Sequence, residues 1–275
     1  MSKPPPPETR TRLTEALYTA LEGNPNVVAV WEAGAVAYGQ VDPWSEIELI
    51  VVVASREAVA EAAALVRQTV AAEVPVDCDL PLCGGLISTA AFEDPECPRT
   101  LLRLDDFGPY LLVDCEVVAR DDARRLHDLV RTRRLASWFD REGLQSTFQP
   151  QEQPLRESLV RLVEHLRRRH EMLATLPQRE VRRGNGVDAL ELYRSLLLMP
   201  LVTLYRIRFC PYRYDCGLRH LRDDLPLEAF RFVKDMVFVH NLEDLKRKID
   251  RTRHELERQL AEIRPEHLKL LPECP

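Results

Sequence analysis

Apolar residues recur along this chain with two different spacings, and the change from one to the other divides it. Between residues 11 and 21, Leu13, Ala16, Leu17 and Ala20 fall on one helical face, and Gly23-Asn24-Pro25 supplies a stop. Residues 27–31 and 47–53 are short runs of β-branched and apolar residues, the pattern of strands, with a segment containing Gly and Pro between them. Ser55 precedes an alanine-rich stretch that predicts a helix over 56–72; Pro75 ends it, and a short strand follows at 76–80. Residues 100–104 and 110–118 predict two strands around the hairpin loop Asp105-Asp106-Phe107-Gly108-Pro109. Beyond Asp121 the period is helical, over 122–134, 154–176, 187–209, 226–239 and 242–263. The expected architecture is α+β: a leader at 1–10, a mixed α/β domain at 11–121 and an all-α domain at 122–275. The proline-flanked stretch 150–154 is an equally defensible boundary.

Composition narrows the class. With 45% hydrophobic and 30% charged residues over 275 positions, the chain matches an ordinary globular protein that buries a sizeable core. The longest apolar run, 196–204, is broken by Pro200 and Thr203 and is far short of the ~20 residues of a membrane span. The first seven residues carry four prolines and no apolar run, unlike a secretory signal or transit peptide. Seven cysteines at irregular spacing fit reduced thiols and a cytoplasmic location. Charge is distributed unevenly: residues 1–150 hold 14 basic and 24 acidic side chains, and residues 151–275 hold 24 and 20. An acidic half and a basic half suit a polyanion held with divalent cations, and the net charge of −6 argues against general nucleic-acid binding.

The segment 27–53, VVAVWEAGAVAYGQVDPWSEIELIVVV, concentrates the candidate chemistry. A strand runs into a turn at Gly34-Ala35, and the next strand opens with Glu46-Ile47-Glu48. Residues two apart on a strand share a face, so Glu46 and Glu48 project together while Ile47 and Leu49 enter the core. Two like charges so placed repel, and a hard divalent cation relieves that repulsion. Asp114 and Glu116, in LLVDCEVV, repeat the arrangement 66 residues after Glu48.

The segment resembles the active-site signature of the nucleotidyltransferase superfamily, which includes polymerase-beta-like enzymes and bacterial antibiotic-modifying nucleotidyltransferases. Its Gly-Ser after the first strand corresponds here to Gly34-Ala35, and its Ser-Asp-x-Asp run to Ser45-Glu46-Ile47-Glu48; Gly39 and Asp42 fall in the same register. The resemblance implies a third carboxylate on a later strand, for which Asp114 is the candidate and Asp77 the runner-up. Glu46, Glu48 and Asp114 would then be catalytic and hold two Mg²⁺ ions, with Gly34, Ala35 and Ser45 on the nucleotide. The implied reaction moves a nucleoside monophosphate from an NTP, ATP being the expected one, to a hydroxyl acceptor. Both aspartates of the signature are glutamates here, and Ala35 replaces its serine. Those departures favour the alternative of a weak or inactive relative that binds a nucleotide or a partner without turnover.

Other positions carry less specific signals. Arg167-Arg168-Arg169, Arg206, Arg208, Arg213 and Arg219 are phosphate candidates, and Glu164 is a general-base candidate by the same resemblance. Glu157, Arg161, Glu164, Arg168 and Glu171 also form a ladder of alternating charge that needs no ligand. Cys210, Cys216 and His220 lack zinc-site spacing and are expected to be ordinary thiols and a histidine. The amphipathic helices of the second half offer surface for a homodimer.

Overall fold

The computed structural model describes residues 7–83, 92–93, 99–104, 112–149, 151–267 and 270. They form two compact units, Met1–Gln149 and Pro150–Pro275. The fold is α+β, with a mixed sheet and its helices in the first unit and an all-helical second unit.

The first unit is built on strands β1 (Val27–Glu32), β2 (Ile47–Val53), β3 (Val76–Cys83), β4 (Phe92–Glu93), β5 (Arg99–Leu104), β6 (Leu112–Ala119) and β7 (Ala136–Asp140). Their spatial order is β4-β3-β5-β6-β2-β1-β7, and β2 and β6 run parallel while the other neighbours are antiparallel. Helices α1 (Pro7–Glu22) and α2 (Val59–Glu73) cover one face. There Leu13, Leu17, Leu21, Val66 and Val70 pack on Ile47, Leu49, Val51, Val113, Cys115 and Val117. Helix α3 (Ala123–Thr132), capped by the Asp122 side chain, covers part of the other face. Leu126 and Leu129 meet Trp31, Ile50, Val52 and Val118 there. Continuing along the same face, Ile50 and Val52 give way to Glu48 on β2, and Val118 gives way to Glu116 and Asp114 on β6. The apolar layer under α3 therefore turns acidic toward the N-terminal ends of the two parallel strands.

Two expectations are corrected. The helical stretch after Asp121 is interrupted by β7, which pairs with β1 through an irregular register, so residues 122–149 belong to the first unit and the division falls at 149/150, at the proline-flanked alternative rather than after Asp121. The leader expected over 1–10 overlaps α1, which starts at Pro7 and buries Thr9; residues 1–6 lie outside the described residues.

After α4 (Leu144–Thr147) ends the first unit's helices, the second unit packs α5 (Glu152–Leu173), through Leu155, Leu159, Val163 and Leu166, and α11 (Leu242–Glu262), through Leu245, Ile249, Leu256 and Leu260, around a central helix, with the shorter α6 (Leu176–Arg182), α9 (Leu221–Asp224) and α10 (Leu227–Val237) between them in the chain. That central helix is α8 (Met199–Phe209), buried over most of its surface as a largely apolar helix must be; α7 (Gly186–Tyr193), which leads into it, buries only Ala189 and Tyr193. Between them Arg194–Leu198 widens into a π turn, because Pro200 has no N–H for the carbonyl four residues back. No helix among the described residues is long and apolar enough to cross a membrane.

Candidate functional site

The chain leaves β1 through a turn that presses its backbone against Glu48. The Ala33 N–H donates to the Glu48 carbonyl at 2.8 Å, and Gly34 follows in the left-handed region at φ +65. A Cβ at Gly34 would lie 2.9 Å from Glu48 Oε2, so the conformation favours glycine and any side chain here would have to displace that carboxylate oxygen. A 3₁₀ turn (Val36–Tyr38) closes the loop, and the Gln40 N–H returns to the Ala35 carbonyl at 2.9 Å. Ser45 belongs to a second turn, where its hydroxyl donates to Asp42 Oδ1 and accepts from the Asp42 N–H, both at 2.9 Å. Glu46 sits one residue before β2 and is half-buried.

Glu48 and Asp114 are register partners across the parallel β2–β6 pair, and Glu116 lies two residues further along the same face. Glu48, Asp114 and Glu116 are 7%, 2% and 2% exposed. Each is bound by an arginine. Arg99 on β5 takes both oxygens of Asp114, Nε to Oδ1 at 2.8 Å and Nη2 to Oδ2 at 2.5 Å. Arg133, the residue that ends α3, donates from Nη1 to Glu48 Oε1 at 2.7 Å and sets Nη2 3.6 Å from Glu116 Oε2. Arg125 of α3 binds Glu116 Oε1. One strand away Glu32 is held the same way, by Arg10 and by the indole N–H of Trp138 at 3.0 Å. Burial alone would depress the Arg99 guanidinium, but the Asp114 hydrogen bond and the charges of Asp114, Glu116 and Glu48 outweigh it and raise its pKa. The Cys115 thiol, on the opposite face of β6, is raised by burial first and then by Asp114 and Glu116, so it stays protonated and inert.

Magnesium demands near-octahedral oxygen ligation, and two ions would need most of the lone pairs of these carboxylates. The arginines already use both oxygens of Asp114, one of Glu48 and one of Glu116. Glu116 Oε2 is buried without a hydrogen-bond partner. Among the described residues no group of three or more His, Cys, Asp or Glu side chains is placed to hold a metal ion. The donor set does not fit a two-metal centre.

Asp77, the runner-up, pairs with Arg103 at 2.5 Å on the exposed part of β3, outside this cluster. In the second unit Glu164 lines a groove of about 790 Å³ with Val163, Leu260 and Ile263. Hydrogen bonds from Arg167 and Arg168 hold its carboxyl below the usual range, the opposite of what a general base near neutral pH needs. Arg206 and Arg213 are structural: both bind the fully buried Asp224, at 2.5 and 2.7 Å. Arg208 is engaged by Gln259 and Glu262. Cys210 is disulfide-bonded rather than the ordinary thiol expected, whereas Cys216 forms no disulfide.

Sequence reasoning brought Glu48 to Asp114 but missed Arg99, Arg125 and Arg133. The available signals were arginines four residues apart, on one strand face, in RTLLRL and the basic run Arg131-Thr132-Arg133-Arg134 at a helix end.

No family profile matches this chain, and no curated protein matches it in sequence. Among solved structures it is similar to a nucleotidyltransferase-like protein from Exiguobacterium sibiricum 255-15, with a TM-score of 0.35 and 14% identity over 92% of this chain and 73% of that one.

Proposed function

We propose that this chain is a binding module of nucleotidyltransferase-like fold that transfers nothing, its carboxylate site being neutralised from within. The observation that carries this reading is the bidentate grip of Arg99 on Asp114, matched by Arg133 on Glu48 and Arg125 on Glu116. Three carboxylates face three guanidiniums, so the cluster has no excess negative charge for a divalent ion to neutralise. The same balance removes the field that would repel a polyphosphate in the absence of metal, which makes a nucleotide the first ligand to test.

A second reading, Mg²⁺-dependent transfer of a nucleoside monophosphate from ATP to a hydroxyl, is favoured by one observation. Glu48 and Asp114 stand opposite each other in parallel register beside a turn with Gly34 in the left-handed region. Transfer would require both carboxylates to exchange their arginines for metal, and breaking a buried pair costs about 3–5 kcal/mol.

Calorimetric titration of each of the four NTPs, with and without Mg²⁺, separates the readings when run beside a Glu46→Ala/Glu48→Ala variant and a pyrophosphate-release assay. The expected result is no metal-dependent binding and no pyrophosphate. Metal-dependent NTP binding that disappears in the variant, together with pyrophosphate release, would establish the transferase.

A further inference from the structure

We infer that Arg133 is a built-in cation: its guanidinium bridges Glu48 and Glu116 as a divalent ion would, and its removal turns the cluster into a site for a hard divalent metal. The inference deepens the reading of a neutralised, non-transferring site and rests on it.

The three arginines of the cluster are not equivalent. Arg99 comes from the middle of the sheet, its side chain is 9% exposed, and it satisfies one carboxylate completely. Arg125 reaches Glu116 from a side chain that is 43% exposed. Arg133 spans two carboxylates, Glu48 Oε1 at 2.7 Å and Glu116 Oε2 at 3.6 Å. It does so from the end of α3, where the chain turns toward β7. The Glu116 oxygen it approaches is buried and receives no hydrogen bond, so Arg133 supplies that oxygen with charge but not with ligation. A bridge by charge between two carboxylates on adjacent strands is the part a metal ion plays, and oxygen donors at such a place select a hard cation. Without Arg133, Glu48, Asp114 and Glu116 would face only Arg99 and Arg125, leaving one excess negative charge. Glu48 Oε1 and Glu116 Oε2 would then be open to a cation that completes its shell with water.

Manganese is the probe, since it binds oxygen ligands and its free form is read directly by electron paramagnetic resonance. Wild type, Glu48→Gln, Arg133→Ala, Arg133→Lys and Arg133→Ala/Glu48→Gln are titrated with Mn²⁺ as full chains, and Tm is followed with and without the ion. Wild type and Arg133→Lys, which keep a cation at this place, are expected to bind no Mn²⁺ and to show no shift in Tm. Arg133→Ala is expected to take up the ion and to gain Tm in its presence, and the added Glu48→Gln to abolish both. Should the alanine variant fail to fold, Arg133→Met fills the space without charge and carries the same expectation. Folded Arg133→Ala or Arg133→Met that binds no more Mn²⁺ than wild type overturns the inference while leaving the non-transferring reading intact. Mn²⁺ binding by wild type that Glu48→Gln removes overturns both.

Discussion

Arg99 and Glu116 oppose each other in the antiparallel β5–β6 register, yet Arg99 gives its nitrogens to Asp114, two residues along the same strand face. That diagonal leaves Glu116 to α3, whose Arg125 and terminal Arg133 complete the cluster. The pair Arg99–Asp114 is thus the keystone on which the remaining assignments depend. Truncating one partner strands a buried charge, so Arg99→Ala and Asp114→Ala are each expected to destabilise the first unit by about 3–5 kcal/mol. Replacing both by leucine removes the two charges together and should be far milder than either single change. Chemical denaturation of the four proteins, followed by the fluorescence of the tryptophans, all of which lie in the first unit, measures the difference.

Gly34 makes a second prediction. Its φ of +65 and the 2.9 Å between a Cβ and Glu48 Oε2 act together, whereas Gly39, at φ +63, has open space around it. Gly34→Ala should lose about 1–3 kcal/mol from backbone strain and more from displacing Glu48, and Gly39→Ala only the strain. A double-mutant cycle with Glu48→Ala checks the assignment, because the part due to the clash must vanish when the carboxylate is gone.

How much of this was legible in sequence follows from the range of the forces involved. The facing of Glu48 and Asp114 could be read because a strand alternates faces with period two, and both lie in strands of strong apolar character. Glu46 looked equivalent to Glu48, but β2 begins at Ile47, and a strand's start depends on its partner rather than on its own composition. Strand β7 escaped because its five residues, ASWFD, follow a helix without a proline or glycine between them, and only pairing with β1 identifies it. The arginines escaped for the same reason. Arg133 lies 85 residues from Glu48, and no local period connects them. In the second unit, by contrast, the long helices could be read from their spacing, and what could not be read was the short helices at Leu176–Arg182 and Leu221–Asp224 and the burial of Arg206 and Asp224.

Mild acid should weaken the second unit through His220. Burial lowers its pKa, and the guanidiniums of Arg213 and Arg219 lower it further against the opposing charges of Asp224 and Asp223. A histidine whose folded pKa lies below its unfolded value binds its proton more readily when unfolded. Stability is therefore fully present above the unfolded pKa of about 6.5 and is lost as pH falls below it. Carboxylates such as Glu255 and Glu262, also lowered, add their loss only in the more acidic carboxylate range. His220→Asn keeps a residue tolerant of the left-handed backbone at φ 54 and should flatten the first window while leaving the second. Thermal melts at successive pH values resolve the two.

Asp224 is the point where a lost charge should have the widest local effect. It accepts from Arg206 and Arg213, and Arg206 also donates to the carbonyls of Gly217 and Arg219, so one carboxylate anchors the whole connection between α8 and Leu225. Asp224→Ala leaves two buried guanidiniums without the carboxylate they share. Arg206, with no exposed surface, cannot turn to solvent, whereas Arg213 keeps a small opening. The expected cost is about 3–5 kcal/mol or more, and Arg213→Ala should cost less because Arg206 still balances Asp224. The loss should also be local before it is global. The N–H groups of Asp223, Asp224 and Leu225, which close the short helix on the carbonyls of His220 and Leu221, should exchange faster in Asp224→Ala, while those of α11 keep their protection until the unit unfolds. Hydrogen exchange resolved by residue reads the two sets in one experiment. Equal acceleration in both would mean that the cluster supports the whole unit rather than this connection.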